Sequence, residues 1–350
     1  MHTLTQPLVD VIIPTRNRGA LIDLTINSIL RSHHSNFVLW IVDQSENDET
    51  KKVVEIHQIA DDRVHYIHSD SRGSSRARNL GIAAGNAPYV LFTDDDCRIH
   101  PDWISSTLTE MNGISGAHWG VFCRVEDEEP FFNPQLAEGH VPVHQSLKLA
   151  SKVNDQPQIF QHNRFNLGFG HGAAMGFRRD VLERLNGFDE LLSNGAELRS
   201  WPERDIGYRI LAAGGSIRYT PHAIVYHRDW RSWPKVRKSL KNYGFGTGAA
   251  VGKYIRCGDW QAAYLLIQWV ADQGFRALVS GIFKWRSHQK MTAGLFQIIY
   301  PWVGLITSLR YAVDKSNGHY VLSLTENNLS EQPIYDVNPT NSQRPQKANS

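Results

Sequence analysis

The chain has 350 residues, 41% of them hydrophobic and 21% charged, which suffices for one large domain or two ordinary ones with an apolar core. Its formal net charge is +2, so it lacks the overall positive field that favours nucleic acid as a partner. Its three cysteines (Cys97, Cys123 and Cys257) form no CxxC pair, which predicts neither disulfides nor a zinc site. The first residues lack the basic and apolar regions of a signal peptide, and we expect a cytoplasmic protein.

Strand and helix signals alternate over the first ninety-three residues. Apolar runs predict four buried strands, at Val9 to Ile13, Phe37 to Val42, Val64 to Ile67 and Tyr89 to Thr93. Helical periodicity fills the segments between them, which predicts βαβ units and a mainly parallel α/β sheet flanked by helices. Ligands of such sheets bind beyond the carboxyl ends of the strands, so the residues that follow each strand are the first candidates for a site.

Three consecutive carboxylates, Asp94 to Asp96, directly follow the fourth predicted strand. Like charges repel, and a divalent cation that bridges a diphosphate is the usual reason for such a cluster, because hard cations prefer oxygen ligands. A solvated acidic turn that caps the next helix is the alternative. Polar residues also follow two earlier strands, at Arg16, Asn17 and Asp43, so three strands direct polar groups to one crevice.

The second half of the chain is less regular at first. We expect a strand at Trp119 to Cys123 and a long functional loop over Pro130 to Leu167. Regularity returns after Gly168, with two predicted helices and then two predicted strands: Asp180 to Leu185, Glu203 to Ala213, Ile217 to Tyr219 and Ala223 to Tyr226.

The last third changes in character. Lys235 to Lys241 is basic, and two apolar helical stretches follow at Trp260 to Trp285 and Met291 to Leu309. The second approaches transmembrane length, but its polar residues and Pro301 favour an interfacial or core helix over a membrane span. The predicted organisation is a catalytic domain over residues 1–230, a helical and membrane-associated extension over 231–315, and a disordered polar tail over 316–350.

The glycine-rich segment Gly244 to Gly248 superficially resembles a nucleotide-binding loop. It follows no convincing strand, and the Walker spacing would require glycine at Thr247 and serine or threonine at Tyr254. We therefore reject a P-loop or dinucleotide-binding interpretation of this segment.

The ordered set of motifs over residues 9–227 resembles glycosyltransferase family 2, whose members have the Rossmann-like GT-A fold. The similar segments are Val11 to Arg18, Asp43, Arg72 to Gly81, the DxD motif Asp94 to Asp96, Gly170 to Arg179 with Gly187 to Glu190, and Pro202 to Arg209. Two positions depart from the family pattern. Ala174 stands where the family often has asparagine, and Pro202-Glu203 stands where it has a Glu-Asp pair.

The resemblance implies a role for each matching residue. Mg²⁺ or Mn²⁺ is expected at Asp94, Asp96 and His227, although a lone histidine at a strand end is more often structural. The nucleotide is expected to contact Pro14, Thr15, Arg16, Asn17, Asp43, Arg72, Arg78, Asp94 and Asp95. Arg16 and Arg78 are equally compatible with structural ion pairs.

The catalytic base is expected among two carboxylates, with Glu203 preferred to Asp205. A charge that favours a helix N-terminus is the alternative explanation for Glu203. Trp201, Trp230 and Trp233 flank this motif and are candidates for an acceptor platform, although core packing explains aromatic residues equally well.

The resemblance implies metal-dependent, inverting transfer of a sugar from a nucleoside-diphosphate sugar to an acceptor hydroxyl. Enzymes of this family commonly use UDP-sugars, so a UDP-sugar is the expected donor. The acceptor would be a carbohydrate or a lipid-linked glycan in cell-surface polysaccharide or glycolipid synthesis, with peripheral membrane contact through residues 235–313. A decayed sugar-nucleotide sensor or scaffold is the main alternative. A nucleotidyltransferase is disfavoured because it would need a glycine-rich phosphate loop near the N-terminus, and residues 14–19 supply one glycine. A processive synthase is disfavoured because its Gln-x-x-Arg-Trp motif is missing from the sequence.

Overall fold

Four parallel strands form one half of the central sheet in the computed structural model, which describes residues 6–113, 118–128, 147, 152–228 and 232–321. They lie in the order β3-β2-β1-β4 and are joined by three helices. The bounds are β1 Val9–Thr15, α1 Gly19–Leu30, β2 Phe37–Asp43, α2 Glu49–Ala60, β3 Val64–His68, α3 Ser74–Ala84 and β4 Tyr89–Thr93. The four predicted strands and their parallel arrangement are confirmed.

Both faces of this half are buried, which explains the unbroken apolar runs. Along β1, Ile12 packs with Phe92 on one face, while Val11 and Ile13 pack with Ile41 on the other. Successive side chains of a strand point to opposite faces, so each strand contributes to two apolar layers. The mainly parallel, helix-flanked sheet that the sequence predicts is therefore present.

The other half of the sheet is mixed, and it continues as β8-β6-β9-β5 with β7 paired to β9. β8 runs antiparallel to β4, whereas β6 and β9 are parallel to each other. The bounds are β5 Cys97–Ile99, α4 Trp103–Met111, β6 Gly120–Glu128, β7 Gln158–Phe160, β8 Ala174–Arg178, α5 Arg179–Arg184, α6 Pro202–Ala212 and β9 Ile217–Arg228.

Two details correct the expectations for this half. The two short strands predicted after residue 216 form one strand, β9, whose pairing with β6 shifts register between Cys123 and Arg124. The predicted long loop contains β7, although residues 129–146 and 148–151 of that loop lie outside the described part of the chain.

A helical layer follows the sheet. It consists of α7 Trp233–Arg256, a short 3-10 turn, α8 Ala263–Trp269, a π-helical turn at Val270–Phe275, α9 Arg276–Phe283 and α10 His288–Ser308. None of the helices in the described residues is long and apolar enough to cross a bilayer. A hairpin of β10 Ala312–Asp314 and β11 His319–Val321 closes this region. Residues 316–321, which the sequence analysis assigned to the polar tail, belong to this hairpin, and residues 322–350 lie outside the described ranges.

The glycines of the rejected nucleotide motif serve helix packing. A Cβ atom at Gly248 of α7 would lie 1.7 Å from the carbonyl oxygen of Pro301 in α10. Conversely, a Cβ atom at Gly304 of α10 would lie 1.9 Å from the carbonyl oxygen of Phe245. The two helices approach backbone to backbone here, and only glycine leaves the space for that contact.

Candidate active site

The three carboxylates predicted to form the centre of the site lie at the carboxyl end of β4. Asp95 and Asp96 are buried, and Asp95 accepts a hydrogen bond of 2.8 Å from the Thr15 hydroxyl at the end of β1. Arg18 Nη1 lies 2.9 Å from Asp95 Oδ1 and 2.7 Å from Asp96 Oδ2. Burial raises the pKa of Asp95 to about 7, against the opposing effect of the Arg18 charge. Arg18, which was not among the predicted site residues, thus balances part of the cluster.

Asp94, Asp96 and His227 form a group that suits a divalent cation. One potential ligand atom from each lies within 4.8 Å of the other two. The pairing of β5 with β9 sets Cys97 opposite His227, which brings this distant residue beside the carboxylates. His227 is buried, and neither ring nitrogen makes a hydrogen bond with the residues that the structure describes. Its Nε2 lies 3.5 Å from Asp96 Oδ1, so two carboxylates and one imidazole fit Mn²⁺ or Mg²⁺ as ligands.

A cleft of about 440 Å³ opens beside this group. Its lining includes Pro14, Thr15 and Arg16 from the end of β1, together with the three carboxylates. Lys235 and Lys238 from the first turns of α7 also line it. The sequence analysis assigned these lysines to a membrane-contacting segment, whereas the structure turns them toward the predicted nucleotide site.

Three of the predicted nucleotide residues gather around one exposed carboxylate, Glu46. Arg16 pairs with it, Asn17 Nδ2 donates to it at 2.6 Å, and Arg72 lies 3.3 Å away. These bonds, above all that from Arg16, lower the pKa of Glu46 to about 2. Glu46 was not predicted, because a single glutamate in a polar turn carries no distinguishing pattern.

Asp43 lies beneath the cleft and is fully buried. One carboxylate oxygen accepts hydrogen bonds from the backbone and hydroxyl of Ser45, and the other accepts one of 2.9 Å from the Tyr66 hydroxyl. Both oxygens therefore hold the turn that follows β2, at the point where Gln44 enters the cleft lining.

Arg78 connects the acidic cluster to the predicted base. It is 4% exposed, and its Nη2 atom lies 3.3 Å from Asp94 Oδ1. Its Nε and Nη1 atoms are buried and form no hydrogen bond within the described ranges. A Cβ atom at Gly172 would lie 3.4 Å from Arg78 Nη2 and 3.6 Å from Glu203 Oε2, so both side chains converge on this glycine.

Glu203 lies in the first turn of α6. The preceding Trp201 adopts φ 95°, a left-handed conformation that an aromatic residue rarely takes, and Pro202 begins the helix. The helix starts with a 2.8 Å hydrogen bond from the Asp205 amide to the Trp201 carbonyl. This sharp entry turns the half-exposed Glu203 side chain toward a cavity.

Asp205 points away from that cavity and is fully buried. Its carboxylate lies 2.6 Å from the Lys253 ammonium and 2.9 Å from Arg209 Nε, and it accepts a 3.0 Å hydrogen bond from the Tyr254 hydroxyl. Burial alone would raise the pKa of Asp205, but Lys253 and Arg209 lower it to about 2. The geometry therefore favours Glu203 over Asp205 as the candidate base and gives Asp205 a structural position.

The cavity beside Glu203 has a volume of about 810 Å³ and lies between α6 and the helices from α8 to α10. Trp201 and Trp269 line it, with ring centroids 5.2 Å apart. Tyr243 lines both this cavity and the cleft beside the carboxylates. Trp233 instead packs with Val236 and Leu240, and Trp230 lies outside the described residues.

Comparison with known proteins decides the family. The sequence profile of Glycosyl transferase family 2 matches residues 10–185, just over half of the chain. The chain belongs to glycosyl transferase family 2. The resemblance drawn from its motifs is confirmed. Glu203 and His227 lie beyond the matched residues.

The family relationship extends to individual proteins. The chain is 30% identical over 142 residues to the uncharacterized glycosyltransferase EpsJ of Bacillus subtilis, covering 39% of this chain and 40% of that protein. It is 30% identical over 124 residues to the GalNAc(5)-diNAcBac-PP-undecaprenol beta-1,3-glucosyltransferase of Campylobacter jejuni, covering 35% of this chain and 40% of the relative. The chain thus spans less than half the length of these curated relatives.

A solved structure confirms the GT-A fold. The mannosyltransferase PcManGT from Pyrobaculum calidifontis, in complex with GDP-Man and Mn2+, superposes with a TM-score of 0.57 at 16% identity. The match covers 87% of this chain and 88% of the mannosyltransferase. The similarity therefore extends beyond the family-matched residues into the C-terminal part of the chain.

Proposed function

We propose that this family 2 glycosyltransferase transfers a sugar from a UDP-sugar to an acceptor hydroxyl, with inversion at the anomeric carbon and with Mg²⁺ or Mn²⁺ as cofactor. The observation that carries the proposal is the arrangement of two cavities that share Tyr243. The smaller contains the carboxylate cluster, and the larger contains Glu203. Arg78 and Glu203 converge on Gly172, so the two groups of residues adjoin.

The smaller cleft is the proposed donor site. Asp94, Asp96 and His227 would hold the divalent cation, which when bound neutralises charge on the leaving diphosphate. Lys235 and Lys238 place two further cationic side chains in the cleft lining, where they attract the same phosphates. Thr15 holds Asp95 in place through its 2.8 Å hydrogen bond.

Glu203 is the proposed general base. It lines the larger cavity and adjoins the donor side at Gly172, and it would take the proton of the acceptor hydroxyl as that oxygen attacks the anomeric carbon. With the base in one cavity and the diphosphate in the other, the proposed reaction is a single in-line displacement, which inverts the configuration. Trp201 and Trp269 offer apolar ring surface on which a sugar can stack.

Calorimetric titration of UDP, GDP and dTDP, each with Mn²⁺ and with EDTA, tests the donor site. We expect Mn²⁺-dependent binding of UDP that Asp96→Ala abolishes, because Asp96 is a buried member of the cation group. The exposed Asp70→Ala is the matched control and should bind as wild type. Preference for GDP would show that the donor carries guanine rather than uracil, whereas binding of none of the three nucleotides would overturn the donor site. Binding without any turnover of donor would instead identify a scaffold or sensor.

An acceptor at an anionic membrane surface, in polysaccharide or glycolipid synthesis, completes the proposal. The C-terminal helices expose large apolar side chains, among them Ile267, Phe275, Phe283, Trp302 and Ile306. Residues 273–313 contain five lysines and arginines and no aspartate or glutamate, a charge that complements anionic lipids. The printed name of the Campylobacter relative, with its undecaprenol-linked acceptor, supports a glycolipid substrate.

Cosedimentation with vesicles tests the membrane contact. We expect binding to vesicles of phosphatidylglycerol but not of phosphatidylcholine, and at least tenfold weaker binding after Phe283→Ser and Trp302→Ser. Ile59→Ser on α2 removes an apolar side chain that is more exposed than either of these two, and it is the control. Equal binding of the protein to both vesicle types, or none to either, would refute the contact.

A further inference from the structure

The larger cavity carries more positive than negative charge. Four cationic side chains line it against two carboxylates among the described residues, namely Arg204, Arg276, Lys284 and Lys290 against Glu203 and Asp272. None of these four cations forms an ion pair within the described part of the chain. Unpaired cations that share a cavity repel one another, and an anionic ligand relieves that repulsion.

Two of the cations flank one indole ring. The ammonium groups of Lys284 and Lys290 each lie 5.1 Å from the ring of Trp285. Lys284 directly follows α9, and Lys290 lies in the first turn of α10. The pKa of Lys290 is lowered, first by burial and then by the charge of Lys284. Two like charges are thus held together around an aromatic surface by the turn between the two helices.

A third cationic side chain, Arg204, lines the same cavity beside two other indole rings. The Arg204 guanidinium lies 5.0 Å from the ring centroid of Trp201 and 5.0 Å from that of Trp269. Burial lowers its pKa, which the neighbouring Glu203 partly offsets. The cavity therefore joins aromatic surface to positive charge along its length, a combination that suits an amphiphilic anion rather than a neutral sugar alone.

We propose that Lys284 and Lys290, with Arg276, form a subsite for a phosphate group carried by the acceptor. The inference rests on the proposed function, which makes this cavity the acceptor side. The ammonium groups pair with the phosphate oxygens, and the Trp285 ring packs against the carbon chain or sugar attached to it. The phosphate belongs either to a soluble phosphorylated glycan or to a glycan linked to lipid through phosphate.

Indole ¹⁵N NMR of the full chain in EDTA tests the subsite, with the Trp285 signal assigned through Trp285→Phe. The probes are inorganic phosphate, octyl phosphate and the neutral octyl glucoside. We expect both phosphates to shift the Trp285 signal and octyl glucoside to leave it in place. The double variant Lys284→Gln/Lys290→Gln should weaken the phosphate response at least tenfold. Lys51→Gln/Lys52→Gln on the distant helix α2 removes the same charge and should respond as wild type.

The outcomes separate the two proposals. Tighter binding of octyl phosphate than of inorganic phosphate identifies a lipid-linked acceptor, and equal binding identifies a soluble one. No shift with either phosphate, or an undiminished shift in the double variant, overturns the subsite. Calorimetric titration of UDP with Mn²⁺ on the same proteins, after EDTA has been removed, reports on the donor site. Retained UDP binding with no phosphate response would therefore leave the proposed function standing and remove only this inference.

Discussion

Lys253 is the buried cation whose removal should most disturb the helix that carries Glu203. Its side chain is 0% exposed, and its ammonium lies 2.7 Å from Asp189 Oδ2 and 2.6 Å from Asp205 Oδ1, whose side chains are also 0% exposed. Lys253→Met keeps the apolar stem and leaves both carboxylates without this cation. Removal of one partner of a buried ion pair costs about 3–5 kcal/mol.

The remaining partners set the expected size of the loss. Asp205 keeps its 2.9 Å contact with Arg209, and Asp189 keeps hydrogen bonds from the amides of Leu191 and Tyr320. We therefore expect Lys253→Met to lower the free energy of unfolding by about 4 kcal/mol at pH 7, near the middle of that range. Urea unfolding followed by circular dichroism measures this difference.

The pH dependence follows from the direction of the Asp205 pKa shift. In the wild type this pKa is lowered from 3.8 to about 2, so its stabilising contribution is complete above 3.8 and is lost as the pH falls toward 2. Without the Lys253 charge, the upward effect of burial on the Asp205 pKa is less fully offset, so this carboxyl group protonates at a higher pH than in the wild type. The stability difference between wild type and variant should therefore be largest at pH 7 and narrow on acidification.

An exposed lysine provides the control for this prediction. Lys51 lies 3.9 Å from Glu55 on the surface of α2, and Lys51→Met should change the free energy of unfolding by less than about 0.5 kcal/mol. A loss below about 1 kcal/mol for Lys253→Met, or a difference that widens in acid, would refute the assigned role of the buried cation.

Three further predictions concern the site and the helical layer. Glu203→Gln should lower kcat by about 10²–10⁴-fold without changing the calorimetric Kd for UDP, and unchanged kcat would exclude this residue as the base. Gly172→Leu should fill the space between Arg78 and Glu203 and suppress turnover. Gly172→Ala should retain turnover, because its Cβ contacts are no shorter than 3.4 Å, and equal activity in both variants would contradict this geometry. Gly248→Ala should lower Tm through its 1.7 Å clash with Pro301, at a cost of about 1–3 kcal/mol or more, and an unchanged Tm in a thermal scan would show that α7 and α10 separate easily.

Local sequence patterns predicted the parallel half of the sheet and the acidic cluster. The apolar runs that form β1, β2 and β4 are buried on both faces. A strand buried on both faces can be recognised from its own unbroken apolar sequence, without knowledge of the strands that pair with it. Because parallel strands end at one edge, Arg16 and the cluster Asp94 to Asp96 were expected at one crevice, and they line the same cleft. The metal, nucleotide and base assignments stay predictions until they are measured.

Other site residues carried no local signal. Arg18 and Lys238 belong to a polar turn and a basic helix, and their sequence surroundings do not distinguish a phosphate-facing cation from a solvated one. In the sequence alone, the glycines near Gly248 resemble a ligand-binding loop. In the structure they allow the close approach of a second helix, which lies some fifty residues later in the chain. Long-range contacts of this kind leave no periodicity in the segment that makes them.

The sequence by itself determined the GT-A class, the order of its motifs and the presence of two carboxylates at the start of α6. Residues two positions apart on a helix point in nearly opposite directions, so only one of the two carboxylates faces the cavity. Which one does so was decided by the tertiary structure. Lys253 of α7 and Arg209 hold Asp205 in the core, and the left-handed Trp201 sets the start of the helix so that Glu203 faces the cavity.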